Sequence, residues 1–349
     1  MRFAIRLSLL VFTATLLFPI TAEAKTVAMT NAACSKLGTL EQVRFLRYTC
    51  ARFEGRLVWR PVEDSAELKA SPQLTFLNSE FNKLRKMLDS TPEFTNYKLN
   101  IEPSIENQLW TKDMKLSLNV GFKLMSIFAP PPPKEITANI YWNSEWLKGK
   151  IPGWCRPSGA GVACGHEAVT AQTKWFAESR NHFNTNPNQY QDETQRYLVY
   201  AHLPHEAHHI AQNLSYTYLG DPNVYNVEPA WLREGAANFL GVMAYAYQYK
   251  TSYSFARNLN VKNIGSRCDS FSLSKLGNNP QDTQGCEYNN GTIAAEYLVW
   301  KTKDLKSLLW FYLKGLKDDG TDTAFEKAYG FSLASFIKEA DKYIASQTN

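Results

Sequence analysis

The stretch Tyr200-Ala201-His202-Leu203-Pro204-His205-Glu206-Ala207-His208-His209-Ile210 organises the reading of the chain. Within it, His205-Glu206-x-x-His209 puts two imidazoles four residues apart. On a helix these positions lie on one face, one turn apart, so both rings can reach a single ion. Glu206 projects beside them, where it can take a proton from a water that a bound zinc has acidified toward pH 7. A metal without such a base loses proton transfer worth about 10²–10⁴ in rate. A His-rich polar helix without metal is the plainer alternative, and adventitious metal binding is another, because four of the six histidines lie between 202 and 209. Pro204 either kinks the helix from inside or sits in its first turn, and both leave 205–209 helical. His202 lies three residues before His205 on nearly the same face. It is a rival ligand, but it fits better as a supporting or surface residue, and His208 points aside from the pair.

Two imidazoles hold a metal loosely, so a third ligand is needed. Downstream comes Pro229-Ala230-Trp231-Leu232-Arg233-Glu234-Gly235-Ala236-Ala237-Asn238. H-E-x-x-H followed some two dozen residues later by W-L-x-E-G-x-A resembles the gluzincin metallopeptidases, nearest to the aminopeptidase N and leukotriene hydrolase branch and its shorter bacterial secreted relatives. The resemblance implies one Zn²⁺ per chain, held by His205, His209 and Glu234, with the fourth position left to water. Glu228 is the rival for the third place, but it lacks the motif around it. Glu287-Tyr288-Asn289-Asn290-Gly291 is similar to the Y-x-x-G segment of the same branch, which implies that the Tyr288 hydroxyl stabilises the oxyanion of the tetrahedral intermediate. Asn238, four residues after Glu234, can orient a ligand imidazole or simply lie on the helix surface. The gap from His209 to Glu234 is longer than in the aminopeptidases, and no G-x-M-E-N-like segment precedes the motif. Gly165-His166-Glu167 does not match it. Endopeptidase action is therefore expected ahead of aminopeptidase action.

Around these motifs the pattern changes along the chain. Leu118, Phe122, Met125 and Phe128 recur on one side of a helix over 116–128, and Ile136 to Trp142 reads as a strand. The proline run 130–133 between them is a stiff spacer. Cys155 to Cys164 reads as a stapled loop or hairpin. From Gln195 onward the pattern is helical, with helices expected over 291–301, 304–316, 322–329 and 332–346, and with Gly330 capping the third. The fold class is thus α+β, a small mixed or antiparallel sheet region followed by a mostly helical one, and the resemblance implies a gluzincin-like catalytic domain. Residues 1–24 are expected to be a signal peptide and 103–349 the catalytic domain. In the intervening 25–102, only a strand at Arg56–Trp59 and a helix at Leu77–Leu88 can be read. Trp142, Trp146 and Trp154 can line a cleft or pack in a core.

Arg2 and Arg6, an apolar run from Leu7 to Ile20 and Ala22-Glu23-Ala24 form the signal pattern, and no later stretch is long and apolar enough to span a bilayer. Export to a periplasmic or extracellular space follows. All six cysteines lie after the cleavage point, and their neighbour pairing is Cys34–Cys50, Cys155–Cys164 and Cys268–Cys286. The formal charge of +5 falls to +4 when two arginines and a glutamate leave with the signal. The basic residues are scattered, which excludes a nucleic-acid stripe. Asn213-Leu214-Ser215 and Asn290-Gly291-Thr292 match the glycosylation pattern. The expected activity is hydrolysis of a peptide or protein substrate by a metal-activated water. The rivals are a zinc-bearing binding protein without turnover, a zinc hydrolase of a non-peptide amide, and a zymogen whose residues 25 to about 100 cover the cleft.

Overall fold

The computed structural model describes residues 30–43, 46–62, 71–107, 109–128, 136–141, 146, 149, 156–158, 161–163, 175–179, 193–219, 228–264, 268, 271–276, 285–314 and 320–348. The signal segment, the proline run, Trp142, Trp154, Gly165-His166-Glu167 and the Cys155–Cys164 pairing lie outside the described residues.

Strands come first. β1 (Leu40–Val43), β2 (Leu46–Phe53) and β3 (Arg56–Pro61) form an antiparallel sheet in that order. Tyr48, Cys50 and Trp59 are its small core, and Cys34–Cys50 staples the segment before β1 to β2. A second sheet is parallel, with β5 (Ile136–Tyr141) between β4 (Tyr97–Ile101) and β8 (Trp175–Ser179). Its central strand is buried at Ile136, Ala138, Asn139, Ile140 and Tyr141, as a strand paired on both sides and covered on its faces should be. Buried Asn139 is satisfied by the Asn100 amide at 2.9 Å. β6 (Arg156–Ser158) and β7 (Gly161–Ala163) make an antiparallel hairpin, the shape expected between Cys155 and Cys164.

Helices supply the rest. α1 (Pro72–Ser90) opens on the Ser71 cap, whose hydroxyl accepts from the Leu74 N–H, with Pro72 in its first turn. Leu74, Leu77, Phe81, Leu84 and Leu88 then recur every three or four residues and enter the main core. α2 (Leu109–Phe128), α3 (Glu193–Leu219), α4 (Ala230–Tyr249), α5 (Tyr253–Ile264) and α6 (Cys286–Thr302) follow, then α7 (Trp310–Lys314), α8 (Gly320–Tyr329) and α9 (Leu333–Thr348). Small sheets first and a mostly helical region after them is the α+β arrangement expected. The expected helix over 304–316 divides into a 3₁₀ turn at Leu305–Leu309 and α7. Gly330 adopts φ +77° and its N–H returns to the Glu326 carbonyl, capping α8 as expected. Among the described residues no helix is long and apolar enough to cross a membrane.

α4 is apolar nearly all round and runs through the core against α3, α6 and α2. Beyond its last turn, the Arg60 guanidinium of β3 donates to the Tyr249 and Lys250 carbonyls at 3.1 and 2.6 Å. The first sheet therefore docks at one end of α4. Glu234 stands at the other end, 15 residues away, or about 22 Å along the helix.

Pro204 lies inside α3 rather than at its start. Proline in a helix interior frees the carbonyl four residues back, here Tyr200, and a buried carbonyl needs a partner. Two other helices supply it: Ser117 Oγ of α2 donates at 3.0 Å and Gln248 Nε2 of α4 at 3.2 Å.

Cys268–Cys286 ties the loop after α5 to the first residue of α6. The two staples span sequence separations of 16 and 18 residues, each worth about 3 kcal/mol in the chain-entropy model. Asn290, read as a glycosylation acceptor, is 1% exposed and donates to the Cys268 and Phe271 carbonyls. Its side chain holds the disulfide loop and is closed to a glycan.

Candidate metal centre

α3 carries His205 and His209 one turn apart, and α4 carries Glu234 in its second turn. One donor atom from each lies within 4.8 Å of the others. The two Nε2 atoms are 3.1 Å apart, and Glu234 Oε2 is 3.3 Å from each. For ligand bonds of about 2.0–2.1 Å, neighbouring corners of a tetrahedron stand roughly 3.3 Å apart, which matches this triangle. Glu206 is 2% exposed, with Oε1 3.5 Å from His205 Nε2.

Glycines let the helices around the triad approach closely: between α3 and α4, a Cβ on Gly241 would stand 2.4 Å from the Ala201 carbonyl oxygen. A Cβ built on Gly235, next to Glu234, would stand 2.2 Å from the Gly291 carbonyl carbon. One on Gly291 would stand 2.6 Å from the Trp231 carbonyl oxygen. No side chain fits at either place, so the backbones of α4 and α6 touch where the two motifs meet. The same contact places Tyr288, three residues before Gly291, with its ring 5.7 Å from that of His205. Tyr288 is 38% exposed, so its ring reaches both the site and solvent.

Burial presses the His205 imidazole down to about 4, against the opposing pull of Glu234. Burial also lowers His209, but the Glu234 carboxylate, with Glu206 and Gln212, outweighs it and lifts His209 to about 9. Burial raises Glu234, and the two imidazoles more than reverse that, holding its carboxyl well below the usual range. A proton on His209 thus serves where lone pairs of three residues converge.

The hydrogen bonds around the triad form a closed circuit. Gln212 Nε2 donates to the Arg233 carbonyl at 3.1 Å and to the Tyr312 hydroxyl at 3.0 Å. That orients Gln212 Oε1 toward His209 Nδ1, 2.6 Å away. A carbonyl oxygen only accepts, so Nδ1 carries the hydrogen and, in the neutral ring, Nε2 presents its lone pair to the centre. Tyr312 is bonded in turn to Glu228, and burial together with that carboxylate keeps its phenol far up, hence protonated. Arg233 donates to Glu228 Oε1 at 3.0 Å and to Glu234 Oε1 at 2.8 Å.

These observations test whether a cation fits. The donor set is two imidazoles and a carboxylate, with the histidine tautomer arranged for ligation. Within the circuit, Glu228 and Glu234 share the Arg233 guanidinium, and buried Glu206 lies beside His205. A divalent ion matches this geometry. His205, His209 and Glu234 could hold it.

Other residues singled out earlier fall as follows. Glu228, the rival third ligand, is fully buried and turned to Arg233 and Tyr312, outside the triad. His202 stacks on His205 with ring centres 6.0 Å apart and is not one of the three. His208 is buried, and burial first, then His209 and His205, holds it well below its usual value. Asn238 donates to Asn260 Oδ1, Thr292 Oγ1 and the Tyr288 carbonyl. It ties α4 to the first turn of α6, while the hydrogen bond that orients an imidazole comes from Gln212. The sequence reading passed over Gln212 and Arg233. Gln212 sits three residues after His209, on the same helical face, and that spacing was the available signal.

Comparison with protein-family models, with curated proteins and with solved structures found no match to this chain.

Proposed function

We propose that the chain is an exported zinc-dependent peptidase with a gluzincin-like centre, His205, His209 and Glu234 holding the metal and Glu206 serving as the base. The observation that carries this reading is the convergence of three ligand atoms from two helices beside a buried carboxylate. Zinc held there would polarise a scissile carbonyl and lower the pKa of a water toward 7. Glu206 takes one proton from that water as its oxygen bonds to the carbonyl carbon and the C=O π pair moves onto oxygen. When the C–N bond breaks, the leaving nitrogen takes the proton from Glu206, giving an amine and a carboxylic acid. Tyr288 donates its hydroxyl to the oxyanion formed in between. Residues 103–349 make up the catalytic domain in this reading. The cysteine pairs Cys34–Cys50 and Cys268–Cys286 suit an oxidising compartment outside the cytoplasm. Because β1–β3 dock at the far end of α4, activity should not require their removal.

The test is cleavage of an unfolded, fluorescently quenched protein by the mature chain, beside Glu206→Gln and a zinc chelator. Cleavage lost in both controls, by about 10²–10⁴ for Glu206→Gln, is the expected result. Cleavage that survives Glu206→Gln would overturn the assignment of the base. A folded, zinc-loaded protein that cleaves nothing would move the reading to a binding role or a narrow amide substrate.

A further inference from the structure

A carboxylate with both oxygens free can hold a metal through one or both of them, and which it does fixes the coordination number. Glu234 does not have that freedom. Arg233, its neighbour in sequence, turns back so that Nε donates to Oε1 at 2.8 Å. Only Oε2 is left to face the two imidazoles. Arg233 is itself held, because its NH1 is engaged by Glu228, which is fully buried and bonded to Tyr312. Tyr312 accepts from Gln212, and Gln212 fixes His209 from behind. The same Gln212 amide also reaches the Arg233 carbonyl, so α3 and α4 are joined at the point where their ligands must agree.

We propose that Gln212, Tyr312, Glu228 and Arg233 form one positioning network with two effects: it sets the tautomer of His209, and it restricts Glu234 to ligation through a single oxygen, which keeps the centre four-coordinate with one position open. This inference rests on the metal-centre reading. None of the four residues belongs to the ligand triad. Gln212 and Tyr312 come from α3 and α7, which are 100 residues apart, and both are buried. A plain helix-packing role would not require Gln212 to aim an acceptor at the one imidazole nitrogen that faces away from the site.

The test uses the full mature chain loaded with zinc or cobalt, and its readouts are metal affinity by chelator competition and the visible spectrum of the cobalt form. Gln212→Leu, which keeps size and removes the acceptor, should weaken zinc binding about 10–100-fold, the usual effect of losing a ligand's orienting partner. Gln212→Glu, which keeps an acceptor at His209, should restore most of that loss. Removing Arg233 alone would leave Glu228 buried and unpaired, so the informative variant is the double Glu228→Gln, Arg233→Gln. Freed at Oε1, Glu234 should bind through both oxygens, and the intense cobalt bands of a four-coordinate site should fall as a fifth bond forms. Wild-type affinity in Gln212→Leu would overturn the first effect, and an unchanged cobalt spectrum in the double variant the second. A double variant that does not fold leaves the Gln212 pair to decide on affinity alone. Failure of the metal reading itself looks different: the wild-type chain takes up no metal, or keeps it after His209→Ala.

Discussion

Among the described residues, two buried ionic clusters contrast, and the contrast separates a fold contact from a site. Around Glu296, on α6, every partner is a donor. Arg257 Nε of α5 donates at 2.7 Å, Tyr253 donates a short hydrogen bond, and Tyr343 of α9 reaches the other oxygen at 3.4 Å. One carboxylate faces one guanidinium and two phenols, and burial with Glu296 keeps Tyr253 far up and therefore protonated. The charges close without help. Around Glu234 the one fixed donor, Arg233, serves the outer oxygen, Oε1. Two imidazole Nε2 atoms and a carboxylate oxygen point at one another, and two carboxylates share one guanidinium. Lone pairs that converge in a buried place are stabilised by a proton or a metal cation between them. The first cluster is complete as a contact, whereas the second could hold a metal ion.

The largest effect should come from breaking the closed cluster. Arg257→Met leaves Glu296 buried and unpaired, so we expect a loss of about 3–5 kcal/mol in urea unfolding, with one zinc still bound per folded chain. A simultaneous loss of zinc at full stability would erase the distinction between the clusters. The open cluster should behave in the opposite sense. Zinc at 100 times its Kd should raise stability by about 2.7 kcal/mol in the wild-type chain, and by nothing measurable in His209→Ala. Calorimetric melts with and without zinc read this directly, and equal shifts in both proteins would remove the triad as the binding place.

Gly235→Ala probes the α4–α6 contact beside the open cluster. A methyl group 2.2 Å from the Gly291 backbone must push α4 from α6. We expect about 1–3 kcal/mol of destabilisation together with weaker zinc binding, because Glu234 is the adjacent residue. Destabilisation with unchanged zinc affinity would mean that the glycine contact serves packing alone. The smallest effect is expected at Ser117→Ala. It removes one of two donors to the carbonyl freed by Pro204, at a cost of about 1 kcal/mol in urea unfolding, since Gln248 still holds it. A loss of several kcal/mol would show that Gln248 cannot serve alone.

Much of the helical half was legible because its signals are local. Leu333, Phe336, Ala340, Tyr343 and Ile344 recur at helical spacing, and all are buried in α9. α2 and α6 begin earlier than their apolar stripes suggested, at Leu109 and Cys286, since first turns need no apolar pattern. Strands were harder. β3 was read, but β4 and β8 were not: each has five residues, and each pairs in parallel with β5 across a long connection. Parallel pairing is non-local, so neither strand carries its partner's signature. At the site, His205, Glu206 and His209 could be read from one helical turn. Glu234 followed only from the motif around it, and the partners of Gln212 and Arg233 could not be read at all.

The sequence by itself determined which chemistries were present and how they were spaced along single helices: two imidazoles four residues apart with a carboxylate between them, a second carboxylate beside a glycine, and cysteines in near pairs. Those features depend on helical pitch and short loops, which are local. Only the tertiary structure decided that Glu234 and not Glu228 meets the imidazoles, that Pro204 can sit inside α3, and that Gln212 orients His209. The first two need groups from different helices within about 3 Å of one another, and Gln212 is aimed at its helix neighbour His209 by Arg233 and Tyr312 from two other helices. That closeness is set by how the helices pack, with Gly241 of α4 against Ala201 of α3 and Gly235 of α4 against Gly291 of α6, and not by their spacing along the chain.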